Sequence, residues 1–398
     1  MTKLTFLGDI MCKSEMICNY KNNENYNFDG IFKRVKGYLE KSDFVFGNLE
    51  TPISINNENL TNEKYCFSSP YEFAHSVYNS GIKFVATANN HCLDRGISGI
   101  DSTVKSLDKI GFYHTGIFSS KNKSPLIINV NSLKLGMLAY TYGTNAFSNK
   151  QYLSKNDRYK VNLFQNQELS NPIDRFCYYN RSNLFARIYN KLVYILFPDQ
   201  FRRPIYEHKE FNWHCKKQLK KDIKTLKDAD VIIMYMHAGG QYNETPTKYT
   251  KKLSKWLVDN GVDLVVGSHE HVVHGGNFKD INKGKAITYS LGNFDGISGV
   301  YEDPFDKMSE YSIAWNVYYN DENKRIEKST FSIFKTIKDG KNKIQVVPCF
   351  DLLKELDAFE RKKLIDDMSI IAYKFIGYQV EKSVLENQCE IVLYSHGK

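Results

Sequence analysis

The feature that most constrains the fold is a pattern repeated along the chain, in which a short apolar segment is followed at once by a polar motif. The apolar segments lie at 4–7, 44–46, 84–86, 231–235, 264–266 and 287–289. The motifs after them are Gly8-Asp9, Gly47-Asn48-Leu49-Glu50, Asn89-Asn90-His91, His237, Gly267-Ser268-His269-Glu270-His271 and Leu291-Gly292-Asn293-Phe294. Short apolar runs with polar boundaries predict buried β-strands.

Helical stretches lie between these strands and stop at glycine. One carries its apolar residues on a single face and ends before Gly111, and a second ends before Asn260-Gly261. Strands that alternate with helices predict βαβ units and a protein of the α/β class. Ligands of such open sheets bind at the carboxyl ends of the strands. All six polar motifs stand at such ends, so we expect them to meet on one rim.

Two regions do not follow this alternation. Residues at about 144–212 form an aromatic and basic insertion, within which 184–196 has one apolar helical face. This helix covers the core of the domain or forms a lid, or it contacts a membrane surface or a partner. Beyond Met308 the sequence returns to strands and ends in a helix at roughly 355–376. We predict one domain: 1–310 form its core with the insertion, and 311–398 add second-sheet strands and a C-terminal helical appendage.

Charge and cysteine content narrow the range of partners. The net charge of +9 fits an anionic small-molecule or polymer substrate, and no nucleic-acid motif accompanies it. Nine Lys or Arg lie between Arg202 and Lys227, so the 184–227 region is the candidate contact with a membrane face or a partner. The eight cysteines show no C-x-x-C spacing, which indicates reduced thiols.

The start of the chain and its hydropathy bear on location. The first residues lead straight into a strand, and no signal-peptide pattern is present. The longest apolar run is Leu192 to Phe197, far short of the ~20 residues that span a bilayer. These features predict a cytoplasmic protein that could be peripheral at the inner membrane face.

The run Gly267 to His271 is the strongest chemical signal. Two histidines at i and i+2 point to opposite faces of a straight strand, but both can reach one site where the backbone turns. Neutral imidazole is the commonest metal ligand in proteins, and His237 ends a neighbouring strand. Together with Asp9, Glu50 and Asn90 this gives a mixed nitrogen and oxygen set. Such a set suits one or two divalent ions of Mn, Fe or Zn better than Ca or Mg.

Several other polar residues are weaker candidates. Arg95 could clamp a phosphate or carboxylate, or it could pair with Asp94 or Asp101. His274 could contact substrate or bond to its own loop, and His114 could line the pocket. Cys92 could be a reactive thiol or simply a small buried residue. We predict Asn89, His114, His274 and Asn293 as substrate-binding residues.

The motifs resemble a known family. Gly8-Asp9-Ile10-Met11, Gly47 to Pro52, Ala88 to Asp94 and Ser290 to Phe294 are similar to the CapA, or poly-gamma-glutamate capsule synthesis, branch of the calcineurin-like metallophosphoesterases. The resemblance covers roughly 3–118 and 229–300. It implies a four-layer α/β/β/α sandwich with the metals on the rim between two sheets.

The same resemblance implies roles for residues at the matching positions. Asp9, Glu50 and His271 would hold one metal, and Glu50, Asn90, His237 and His269 would hold the other. His91 would protonate the leaving oxygen, and Arg95 is the second residue that we predict to be catalytic.

Three positions depart from the wider pattern. Met11 stands where a histidine ligand is usual, Glu50 bridges in place of an aspartate at the Asn48 position, and Gln241 replaces a glutamate. The prediction is a metal-dependent hydrolase in capsule or cell-surface polymer synthesis. Met11 and Gln241 keep two alternatives open: a non-catalytic assembly or polymer-binding subunit with a structural metal, or action on a gamma-glutamyl amide.

Overall fold

The fold is known from a computed structural model. It describes residues 1–23, 25–61, 66–121, 125–165, 167, 213–296, 308–340 and 342–397. The strands are β1 (Thr2–Ile10), β2 (Lys21–Asn22), β3 (Asn25–Tyr26), β4 (Phe44–Leu49), β5 (Ile53–Ser54), β6 (Ser69–Pro70), β7 (Phe84–Ala86), β8 (Tyr113–Thr115), β9 (Leu126–Val130), β10 (Leu133–Thr141), β11 (Val231–His237), β12 (Leu264–Ser268), β13 (Gly276–Asn277), β14 (Ala286–Thr288), β15 (Tyr311–Tyr319), β16 (Ile326–Lys338), β17 (Ile344–Pro348) and β18 (Ile391–Ser395). The α-helices are α1 (Ser14–Asn19), α2 (Asp29–Leu39), α3 (Tyr71–Asn79), α4 (Gly96–Ile110), α5 (Ala146–Asn149), α6 (Trp213–Thr225), α7 (Lys248–Asp259), α8 (Cys349–Leu352), α9 (Ala358–Ile376) and α10 (Lys382–Asn387).

Two large mixed sheets organise these elements. The first has the order β17-β16-β15-β1-β4-β7-β8, with β18 beside β16, and the second has the order β13-β14-β12-β11-β10-β9. Strands β1, β4, β7 and β8 are parallel to one another, and so are β10, β11, β12 and β14. The predicted α/β class is confirmed. Strands β15–β17 extend the first sheet, because β15 pairs with β1 from Thr2↔Tyr319 to Phe6↔Trp315.

Each sheet has a hydrophobic core on both of its faces. One core contains Phe6 and Phe46 from the first sheet together with Leu135, Ile233 and Val266 from the second. The other face of the first sheet packs on α2 and α3, and the other face of the second packs on α6 and α7. Strands that are buried on both faces need continuous apolar runs, which is why the central segments carry so few charges.

The helix ends follow the predicted glycine signals. Helix α4 stops at Gly111, which has φ +97° and donates its N–H to the Leu107 carbonyl. A glycine in this conformation is a common helix end because it has no Cβ to clash. Helix α9 begins after Asp357, whose carboxylate accepts the N–H groups of Phe359 and Glu360.

The first part of the insertion packs on the sheets, since Thr141 bridges to Leu163 and Ile117 to Val161. The predicted amphipathic helix at 184–196 lies outside the described residues. Among the residues that the structure describes, no helix is both long and apolar enough to cross a lipid bilayer.

Candidate metal centre

The polar motifs of both sheets meet at the carboxyl ends of the parallel strands. Asp9 is the penultimate residue of β1, Glu50 directly follows β4 and His237 ends β11. Asn90 follows β7, and His269 and His271 follow β12. Parallel strands place these ends on the same edge of a sheet, so six residues far apart in sequence become neighbours.

Two groups of these side chains could each hold a cation. Glu50, His237 and His269 form one group, Asp9, Glu50 and His271 form the other, and within each group the ligand atoms lie within 4.8 Å of one another. Glu50 belongs to both. The Oδ1 atom of Asn90 lies 2.8 Å from Nε2 of His237, which adds a fourth candidate ligand to the first group.

The buried polar atoms of the cluster fit a cation. Glu50 and His269 are 0 % exposed, and neither oxygen of Glu50 nor either ring nitrogen of His269 has a hydrogen-bond partner among the described residues. Buried polar atoms are rarely left in this state because desolvation without a partner is costly. A divalent ion would satisfy the carboxylate and the imidazole at once.

Neighbouring groups orient the candidate ligands. Asn48 donates its Nδ2–H to Oδ1 of Asp9 at 2.7 Å, and the backbone N–H of His269 donates to Oδ2 at 3.1 Å. Nδ1 of His271 lies 2.9 Å from Oδ1 of Asn293. Since an amide oxygen can only accept, this nitrogen carries the proton and Nε2 is left to bind a metal. Such outer contacts fix the tautomer of a ligating histidine.

The backbone turn that the i and i+2 histidines require is present. His269 has φ +97° and His271 has φ +60°. Left-handed backbone at residues other than glycine costs about 1–3 kcal/mol each and concentrates at functional sites. The turn is what brings both imidazoles to one cluster.

Burial changes the protonation of the cluster. Desolvation, followed by repulsion from Asp9, raises the pKa of Glu50 well above its ordinary value. Desolvation, followed by the neighbouring histidines, lowers the pKa of His237 and His269 well below the ordinary value. Both histidines are therefore neutral, the form that binds metals.

His91 lies beside the cluster, and Asp94 contacts the Nδ1 side of its ring. Its Nδ1 is 2.7 Å from Oδ2 of Asp94, and its ring packs against Phe67 at a tilt of 32°, with the centroids 4.3 Å apart. It is close enough for its charge to contribute to the lowered pKa of His237 and His269. With Nδ1 occupied, Nε2 is the nitrogen left to face a ligand.

The remaining predicted residues have other contacts. Asn89 donates to the Leu49 carbonyl at 2.7 Å, which braces the loop. Arg95 donates to the Cys66 carbonyl at 3.1 Å rather than to Asp94 or Asp101.

Two predicted histidines form their hydrogen bonds with residues that are not candidate ligands. His114 bonds to Asp108 of α4 at 2.9 Å. His274 lies 2.6 Å from the Asn243 carbonyl, and burial lowers its pKa to about 4. Asn293 contacts the cluster through its side chain at His271 and through a backbone bridge to Asp9.

Two further residues belong to the site, although the sequence predicts no role for Glu270 and only a salt bridge for Asp94. Glu270 is fully buried between two candidate ligands. An added Cβ on Gly239 would lie 1.9 Å from its Oε1, so the glycine is what admits the carboxylate. The Gly-Gly pair after His237 was the available signal. For Asp94, the signal was its position three residues after His91.

The fold and the site define an α/β protein with a candidate metal centre at the rim of two mixed sheets. A family model described as "Bacterial capsule synthesis protein PGA_cap" matches residues 3–298. The chain belongs to this family of bacterial capsule synthesis proteins, and the predicted CapA resemblance is confirmed.

Two curated relatives carry names from the same field. The chain is 26% identical over 297 residues to "Capsule biosynthesis protein CapA" of Bacillus anthracis, covering 73% of this chain and 59% of that protein. It is 24% identical over 296 residues to "PGA biosynthesis protein CapA" of Bacillus subtilis (strain 168), covering 73% of this chain and 62% of that protein. The matched region thus spans about three fifths of each relative's own length.

Proposed function

We propose that this protein is a metal-dependent hydrolase of the metallophosphoesterase type, acting on a phosphate ester or related anionic bond in capsule or cell-surface polymer synthesis. The observation that carries the proposal is the buried carboxylate of Glu50, which both groups of ligands share and which accepts no hydrogen bond from the described residues. The pair of sheets with helices on their outer faces supports the four-layer α/β/β/α arrangement of that fold.

The geometry supports the ligand sets that the family resemblance implies. Glu50, Asn90, His237 and His269 would hold one divalent ion, and Asp9, Glu50 and His271 a second, with Mn, Fe or Zn favoured by the donor set. Bound there, such ions would polarise a phosphoryl oxygen and supply a nucleophile from water at neutral pH.

The other residues would act on the proton and on the ligand geometry. His91 would hold a proton on Nε2 and pass it to the leaving oxygen, while Asp94 keeps Nδ1–H in place. General acid catalysis of this kind contributes typically about 10²–10⁴-fold. Asn293 would hold His271 in the tautomer with Nε2 free. Ser268, whose Oγ lies 2.9 Å from Nδ1 of His237, would help to orient that ring.

A partner surface extends this proposal. The described part of the basic region is α6, where Lys220, Lys221 and Lys224 are exposed. An anionic membrane face or a component of the capsule machinery fits this charge.

The test pairs metal content with hydrolysis. Purified wild type, His237→Ala and the control His75→Ala would be analysed for bound metal. Each would then be assayed with an aryl phosphodiester and a monoester in added manganese. His75 is an exposed residue of α3 that bonds to Asn79, so its loss should change nothing.

Metal and activity that both disappear only in His237→Ala would support the hydrolase. Bound metal without hydrolysis would favour the assembly subunit or a gamma-glutamyl amide substrate. A wild type without metal would refute the metal centre.

A further inference from the structure

The first residues of the insertion lie along the loop that carries Asn90 and His91. Helix α5, Ala146–Asn149, follows Asn145. Its last residue contacts Asp94, and Asn145 contacts Asn90. This short segment therefore reaches one candidate metal ligand and the partner of the candidate general acid.

The Asp94 carboxylate is divided between three donors. Its Oδ2 accepts from Nδ1 of His91 and from the backbone N–H of Phe67, both at 2.7 Å. Its Oδ1 accepts from Nδ2 of Asn149 at 3.1 Å. The side chain of Asp94 is 0 % exposed, so no bulk water replaces a lost donor.

Asn149 is itself fixed. Its Nδ2 also donates to the Thr144 carbonyl at 3.0 Å, and its Oδ1 accepts the backbone N–H of Gln151 at 3.0 Å. These contacts orient the amide so that its donor, not its acceptor, faces Asp94.

Asn145 accepts a hydrogen bond from the site, whereas Asn149 donates one. The Asn145 backbone is left-handed, with φ +50°, and its Oδ1 accepts from Nδ2 of Asn90 at 3.4 Å. With its NH₂ group turned to Asn145, Asn90 directs Oδ1 to Nε2 of His237. The contact selects the amide orientation that a metal ligand needs.

We propose that Asn149 and Asn145 are positioning residues: Asn149 holds Asp94 so that His91 is correctly aimed, and Asn145 holds the Asn90 oxygen toward the metal centre. The insertion thereby contributes to the site that the family core forms. The catalytic consequence for His91 rests on the proposed hydrolase function, but the two hydrogen-bonding roles do not.

An asparagine-to-aspartate substitution should disrupt the hydrogen bond at position 149 and preserve the one at position 145. Asn149→Asp replaces the donor by an acceptor that faces Asp94, whereas Asn145→Asp keeps an oxygen facing the donor of Asn90. Asn145→Gly removes the side chain without strain at the left-handed position. Asn79→Asp is the matched control, because Asn79 is exposed on α3 and its amide contacts His75.

The measurement for Asn145 is manganese affinity by calorimetry. Asn145→Gly should weaken binding by about 10-fold, at the lower end of losses for groups that support a metal ligand. Asn145→Asp should keep the wild-type affinity. Equal affinity in the Gly variant, or an equal loss in both, would overturn this half of the proposal.

The measurement for Asn149 does not depend on activity. A proton shared between Nδ1 of His91 and Asp94 should give a strongly downfield proton NMR resonance that disappears in His91→Gln. It should be lost in Asn149→Asp and kept in Asn79→Asp. Asn149→Ala, which adds no charge, should shift or broaden it and serves if the Asp variant does not fold. A His91 resonance that is unchanged in both Asn149 variants would overturn the proposal.

Kinetics separate the positioning role from the hydrolase proposal. Asn149→Asp should lower kcat about 10- to 100-fold for a phenyl ester and less for a p-nitrophenyl ester, since a good leaving group needs less proton donation. KM and bound metal should not change. If the wild type hydrolyses neither ester while the resonance still responds to Asn149, the hydrolase proposal fails and the positioning role stands.

Discussion

Replacing Gly239 by alanine should damage both the stability and the metal centre. Gly239 lies two residues after His237 with φ +132°. An added Cβ would lie 1.9 Å from Oε1 and 2.5 Å from Cδ of Glu270. Glu270 is fully buried between His269 and His271, so the carboxylate has no open space into which it can retreat.

The expected magnitude follows from two terms. Ordinary non-bonded contacts are about 3.5 Å or more, so the carboxylate must move by more than about 1 Å. Strained backbone costs about 1–3 kcal/mol, and forcing extra atoms into a filled buried site costs about 1–3 kcal/mol more. We expect Gly239→Ala to lower the free energy of unfolding by about 4 kcal/mol, a large share of the typical ~5–15 kcal/mol.

Gly284→Ala is the matched control. Gly284 also has a positive φ, +79°, but an added Cβ would meet no atom within 4 Å. Its substitution should therefore cost only the left-handed strain of about 1–2 kcal/mol. Urea unfolding of the metal-free proteins measures both losses, and calorimetry with manganese should show weakened binding for Gly239→Ala alone. Equal losses in the two variants, with equal metal affinity, would refute the reasoning.

Three further outcomes follow from the site. His91→Gln should lower kcat on an aryl phosphate by about 10²–10⁴-fold with bound metal unchanged, because His91 bonds to Asp94 rather than to the cluster; loss of metal in elemental analysis would contradict this role. Because burial and Asp9 raise the pKa of Glu50, manganese binding at mildly acidic pH should release a proton, and affinity should rise with pH. Calorimetry in buffers of different ionisation enthalpy measures the release, and an equal release in Glu50→Gln would exclude this source. Burial raises the pKa of Cys92 to about 12, so iodoacetamide at mildly alkaline pH should label the exposed Cys18 and spare Cys92. Mass spectrometry that finds both labelled equally would contradict this.

The convergence of the six motifs was predictable because it depends on local signals and one topological rule. Apolar runs followed by polar residues mark strand ends, and parallel strands align those ends. The stop of α4 at Gly111 is equally local, since it requires only a residue that adopts a left-handed backbone.

The direction in which individual side chains point was harder to predict from the sequence. His114 lies in β8, where it pairs with Val85, and its side chain turns toward Asp108 of α4. Successive residues of a strand face opposite sides of the sheet, so one position decides between the pocket and the helix layer. The burial of Glu270 was hard to predict because it depends on Gly239, which lies in another loop and is distant in sequence.

The two groups of ligands should bind cations unequally. Within the described part of the chain, both ring nitrogens of His269 lack a hydrogen-bond partner, and His269 belongs to the group with four candidate ligands. The other group has three, Asp9, Glu50 and His271, because the buried Met11 stands where the wider family pattern has a histidine ligand. Its Asp9 already accepts one hydrogen bond on each oxygen. A cation therefore relieves more desolvation in the His237 and His269 group, and this site should fill first. Three protein ligands at the weaker site would leave positions for water and substrate, as catalytic metal sites require. The residue that most departs from the family pattern, Met11, would then set the order of filling.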